Sequence, residues 1–211
     1  MVNEYIKYFV KFLPLAAIGT LMHELGHFFA AILQGSRAWI SYGYTHLIDP
    51  LENEFQYFIF ILGGPISTWL TCLIGLLLLI FVFHKRLKDS TYKMTWGHQI
   101  SFFLSLFSSR AVFNTSMWTV GKYILGNPMG NSDEEKIAAY LGIRPEIILY
   151  GGLIIGLIII LISLFYLIPK TQRKVVFITG IFGSITGYLI WYYLLGPIIL
   201  PTPQYYIFKK R

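Results

Sequence analysis

The sequence predicts an all-α, polytopic membrane helical bundle with about five transmembrane helices. Of its 211 residues, 55% are hydrophobic and only 13% charged, too few charges to cover an ordinary soluble domain of this size. Apolar stretches long enough to cross a bilayer recur at residues 8–33, 55–83, 100–125, 147–168 and 175–200. Aromatic side chains gather near their ends, among them Trp39, Tyr42, Tyr44, Trp96, Tyr123, Tyr192 and Tyr193, where an amphipathic ring suits the membrane interface.

The first stretch is not a removable signal peptide, because no small-residue cleavage site follows it and ionisable residues sit inside it. Between the first two stretches, residues 37–48 contain Trp39, Ile40, Tyr42 and Tyr44 in irregular alternation, which predicts a short strand, a hairpin or an interfacial loop. A free strand edge there could hold an extended substrate segment through its backbone. The second stretch carries Gly63-Gly64-Pro65, a turn or kink in which glycine allows close backbone approach and proline frees a carbonyl. It also holds Cys72, which as the single cysteine excludes an internal disulfide.

The third stretch is unusually polar, with Ser105, Ser108, Ser109, Arg110, Asn114, Thr115 and Ser116. Arg110 and Asn114, four apart, share a face that should point into the bundle. Two roles fit them: Asn114 supporting a reacting oxyanion or orienting a ligand with Arg110 paired to a buried acid, or plain interhelical packing. Ser132-Asp133-Glu134-Glu135 then reads as a helix start. The last two stretches carry Gly152-x-x-x-Gly156 and Gly183-x-x-x-Gly187, which favour close packing within the chain or between copies in a homo-oligomer. There is no internal repeat and no soluble domain, so residues 1–211 read as a single transmembrane domain.

The net charge of +7 does not indicate nucleic acid, because the cations lie between spans rather than on a basic face. Lys7, Lys11, Lys85, Arg86, Lys88, Lys93, Lys170, Arg173 and Lys174 fall on the amino-terminal side of five spans. Asp49, Glu52, Glu54, Asp133, Glu134, Glu135 and Glu146 fall on the other, beside Arg37, Lys122, Lys136 and Arg144. The positive-inside rule therefore predicts a cytoplasmic amino-terminal side of a multi-pass protein of the plasma membrane, although five spans put Lys209, Lys210 and Arg211 opposite.

Within the first span stands His23-Glu24-Leu25-Gly26-His27, a complete H-E-x-x-H pattern. Histidines four apart on a helix share a face and can offer imidazole nitrogens to one zinc ion. Glu24, one position on, is placed to deprotonate a water beside that ion. A third protein ligand must come from elsewhere, and the acids of the first loop and of residues 127–136 remain candidates. His46, His84 and His98 sit in or near loops and read as surface or interfacial residues rather than ligands.

The H-E-L-G-H of the first span, Gly63-Gly64-Pro65-Ile66-Ser67-Thr68 in the second and Asp133 beyond the third occur in an order that resembles the site-2 protease family of intramembrane zinc metalloproteases. The resemblance covers roughly residues 13–140. It implies a zinc-dependent peptide hydrolase with His23, His27 and Asp133 as ligands and Glu24 as the catalytic base, acting on a transmembrane protein or peptide within the lipid bilayer. It also implies a catalytic core over 8–145, with 146–211 adding two further spans and a tail. Thr68 stands where the family has an asparagine near its active site, so any polar support there would come from a hydroxyl. The family's aspartate lies in Leu-Asp-Gly whereas this one lies in Ser-Asp-Glu, and a helix cap at Asp133 or ligation by Glu134 are the alternatives. The family usually opens its site toward the cytosol, whereas the loop charges place Asp133 outside. Other functions that fit are a non-catalytic relative that binds a membrane partner and a membrane transporter with a metal or ion site.

Overall fold

A computed structural model of the chain describes residues 2–89, 91–126 and 132–202. Residues 127–131, upstream of Asp133, and the terminal Lys209, Lys210 and Arg211 lie outside the described residues. The described residues are mostly helical, and four helical segments are long and apolar enough to cross a membrane: Asn3–Leu33, Glu54–Lys88, Pro145–Tyr166 and Lys170–Ile199. It is a helical membrane protein.

The chain divides into two compact units, Met1–Ser67 with Lys174–Arg211, and Thr68–Arg173. In the first, α1 (Val2–Phe12) gives way to α2 (Leu15–Leu33) at Pro14, which has no N–H to lose at a helix start. Gly35, in the left-handed region at φ 80°, reverses the chain after α2. Of the forms open to the next segment the hairpin is found: β1 (Ala38–Ile40) and β2 (Thr45–Leu47) pair antiparallel with Ala38 opposite Leu47, Trp39 opposite His46 and Ile40 opposite Thr45. Arg37 clamps its base, with Nε 2.8 Å and Nη2 2.9 Å from the two carboxylate oxygens of Asp49.

The helix α3 (Glu54–Leu78) begins in this unit and runs unbroken through Pro65. Gly26 of α2 and Gly63 of α3 face each other so closely that a Cβ on either would collide with the other's carbonyl. Ser67 Oγ, donating to Met22 O at 2.7 Å, ties the two helices one turn further on. The carboxy-terminal helix α8 (Arg173–Ile190) packs through Gly183 and Gly187 against Phe9, Phe12 and Leu13, so that glycine motif is used inside the chain. Beyond it come a π-helical turn, Trp191–Leu195, and the short α9 (Gly196–Ile199). Trp191 Nε1 donates to Tyr42 O at 2.8 Å, and Tyr42 N to Leu200 O at 3.0 Å, fastening the hairpin loop to the chain's end.

In the second unit the polar third stretch differs from a single helix. It forms α4 (Trp96–Ser105), a 3-10 turn over Leu106–Ser108, and α5 (Ser109–Tyr123). The physical reason is local. Ser101, Ser105 and Ser108 bond back to the carbonyls of Gly97, Phe102 and Ser105, and Cys72 Sγ also reaches Ser105 O, so hydroxyl and thiol donors compete with the helix ladder. Gly75 of α3 presses against Ser101 O and Ser105 N at the same place.

Helix α6 (Asp133–Leu141) and helix α7 (Pro145–Tyr166) complete this unit. Thr115 Oγ1 donates to Leu149 O at 2.9 Å, Lys122 Nζ pairs with Glu146 at 2.7 Å, and Gly156 abuts Ser108 O. Much of the polarity of the third stretch thus serves helix packing.

Candidate metal centre

His23 and His27 lie one turn apart on α2, 2% and 5% exposed, and Glu24 between them is 4% exposed. Burial of three ionisable side chains in one turn of an apolar helix is costly unless each is engaged. His27 Nδ1 donates to Phe60 O at 2.8 Å, which fixes the ring and leaves Nε2 with its lone pair in the neutral imidazole. That Nε2 lies 3.1 Å from His23 Nε2, with the rings nearly perpendicular. Two nitrogens bound at about 2.0–2.1 Å to a tetrahedral zinc ion would lie roughly 3.3–3.4 Å apart. The pair is therefore within a few tenths of an ångström of the spacing that one ion requires.

Gly64 supplies the space in front of the pair. A Cβ at this position would run into His27 Nε2, His27 Cε1 and His23 Nε2, so the missing side chain is a cradle beside the donor atoms. The Gly63-Gly64 pair divides the work. Gly63 brings the helices together, and Gly64 keeps the room that their approach would otherwise consume. The two imidazole donors and the space suit a metal ion.

Glu24 is oriented by a residue that the sequence did not single out. Thr45 Oγ1, on β2, lies 2.8 Å from Glu24 O and 3.0 Å from Glu24 Oε2, so one hydroxyl proton is shared between the backbone and the carboxylate. The hairpin thus reaches back to the carboxylate of the H-E-x-x-H helix.

Asp133 is the first residue of α6, half-buried. It is not the cap. Ser132 Oγ accepts from Glu135 N at 3.3 Å while Glu135 Oε2 accepts from Ser132 N at 3.1 Å, a complete capping box. Glu135 is further engaged by Trp118 Nε1 at 2.8 Å. Helix capping therefore does not account for Asp133, and Glu134 beside it is half-buried too.

Thr68 is buried on α3, one turn beyond Gly64. Arg110 and Asn114 share a face of α5 as expected, both half-buried. Arg110 Nε is buried with no hydrogen-bond partner among the described residues. His98 departs from the surface position expected of it. It is fully buried, with Nδ1 3.1 Å from Tyr92 Oη and Nε2 2.7 Å from Leu167 O, and it stacks on Phe83. The chain matches no protein-family model, no curated protein and no solved structure, and the chemistry of these side chains is the guide to what it does.

Proposed function

We propose that the chain is an intramembrane zinc endopeptidase of the plasma membrane, cleaving transmembrane protein or peptide substrates. The observation that carries this reading is the buried His23 and His27 pair, whose Nε2 atoms converge in the space left by Gly64, with Glu24 in the same helical turn. The proposed ligand set is the one the sequence suggests, His23, His27 and Asp133. Asp133 fits as the third ligand because Ser132 already serves as the cap.

When bound, zinc supplies a Lewis acid that polarises the scissile carbonyl and makes water acidic near neutral pH. Glu24, steadied by Thr45, accepts a proton from the attacking water as its oxygen bonds to the carbonyl carbon. When the C–N bond breaks, the same carboxyl returns that proton to the leaving nitrogen, so the group ends as it began. A helical substrate must unwind locally, because intact helix shields its carbonyls; segments containing glycine or polar residues suit this need best.

The test uses the purified full chain: bound metal is quantified, and cleavage of a membrane-embedded peptide is compared between wild type and Glu24→Gln. Zinc is expected to stay while cleavage falls by about 10²–10⁴. Unchanged cleavage in Glu24→Gln would sink the mechanism. Zinc without cleavage in the wild type would favour a non-catalytic binding protein. In Asp133→Ala the expected result is loss of metal, and full occupancy would move the third ligand to a neighbouring acid.

A further inference from the structure

A second candidate binding site lies wholly within the second unit. Leu87, Lys88 and Asp89 after α3, the carboxy-terminal half of α7, and the turn from Pro169 to Arg173 line a groove of about 1090 Å³. Its apolar wall is regular. Ile158, Leu161, Ile162 and Phe165 follow the i, i+3, i+4, i+7 pattern along one face of α7, and each is exposed.

One end of the groove is cationic, with Lys88, Lys170 and Arg173. The single acid there, Asp89, has its Oδ1 engaged by Thr91 N at 2.8 Å and Thr91 Oγ1 at 2.7 Å. Arg173 Nε donates to Ile168 O at 3.4 Å, which orients the guanidinium while its Nη groups remain donors. The walls are fixed to the rest of the unit. His98 meets Leu167 O, and Gln172 Oε1 accepts from Met94 N at 3.1 Å, so the turn that carries the cations is braced from behind.

We infer that this groove holds one anionic phospholipid, its phosphate against Lys88, Lys170 and Arg173 and an acyl chain along the exposed stripe of α7. The juxtaposition is what distinguishes it from ordinary lipid-facing surface: an apolar stripe alone accepts any lipid, whereas three cations at its end select a negative headgroup. The loop charges predict that this end faces the cytoplasm, the side on which anionic lipids concentrate. The site is independent of the proposed peptidase chemistry.

The full chain in neutral detergent micelles is titrated with phosphatidylglycerol, phosphatidylcholine or inorganic phosphate while Tm is followed. Phosphatidylglycerol is expected to raise Tm in a saturable way, and the other two to leave it flat. Lys88→Gln with Lys170→Gln, both exposed and remote from packing, should weaken the phosphatidylglycerol effect about 25-fold, or about five-fold for each lysine. An equal response to phosphatidylcholine, an equal response to inorganic phosphate, or an unaltered response in the double variant would each overturn the assignment.

Discussion

The chain buries two kinds of histidine, and they differ in what their nitrogens face. His98 in the second unit has Tyr92 Oη at Nδ1 and the Leu167 carbonyl at Nε2, with an aromatic ring stacked on it, which is the environment of a structural imidazole. His27 in the first unit has a carbonyl at Nδ1 but meets another imidazole nitrogen at Nε2, across a space that a glycine keeps clear. A carbonyl opposite Nε2 satisfies a proton on the ring; a second Nε2 at 3.1 Å provides a natural pair of donors for a cation. Burial alone therefore does not identify a ligand. The chemistry of the facing atom does.

The sharpest way to break that comparison is to remove each imidazole in turn. His27→Ala is expected to lower zinc affinity by about a hundred-fold or more, whereas His98→Phe should leave zinc in place. The latter should instead cost about 1–3 kcal/mol of stability, since Leu167 O loses its donor. Metal analysis beside thermal unfolding reads both, and zinc lost equally from the two variants would erase the distinction.

Next in size is Gly64→Ala, which fills the cradle without changing any ligand. Zinc affinity is expected to fall about 10-fold to 100-fold while helical content by circular dichroism stays as in wild type. Retention of full affinity would show that the metal, if bound, sits elsewhere.

Thr45→Val probes the carboxylate rather than the ion. Turnover is expected to drop about 10-fold to 100-fold with KM and zinc content unchanged, and Thr45→Ser should restore it, because only the hydroxyl orients Glu24. A fall in zinc content instead would recast Thr45 as part of the metal centre.

The smallest effect concerns pH at the base of the hairpin. The hydrogen bonds from Arg37 hold the Asp49 carboxyl down to about 2. A depressed acid adds stability above its unfolded pKa, near ~3.9, and loses it as pH falls through the folded value. The difference in hairpin proteolysis between wild type and Asp49→Asn should be constant from neutral pH to about 4 and vanish toward 2. The pair is exposed, so the difference is modest.

Much of this was legible in the sequence, because the informative patterns are local. The spacing of His23 and His27 is a single helical turn, the apolar runs announce the spans, and Ser132 with Glu135 has the spacing of a capping box. What escaped depends on contacts between distant residues. Thr45 reaches Glu24 across 21 positions, and His98 reaches Leu167 across 69, with no local signal for either. The break in the third stretch was half visible: its serines were conspicuous and bond back locally, but the contacts of Gly75 and Cys72 at the same place come from another helix and left no local signal.

Gly26 gives the H-E-x-x-H pattern a stricter grammar in this protein. As a pattern, position 26 accepts any residue, yet here its hydrogen lies where a methyl would strike the Gly63 carbonyl and Ser67 Cβ. Any side chain there would lever α3 away, carrying off the Phe60 carbonyl that orients His27. The second wildcard letter is thus no wildcard here: it is spelled by the helix across from it.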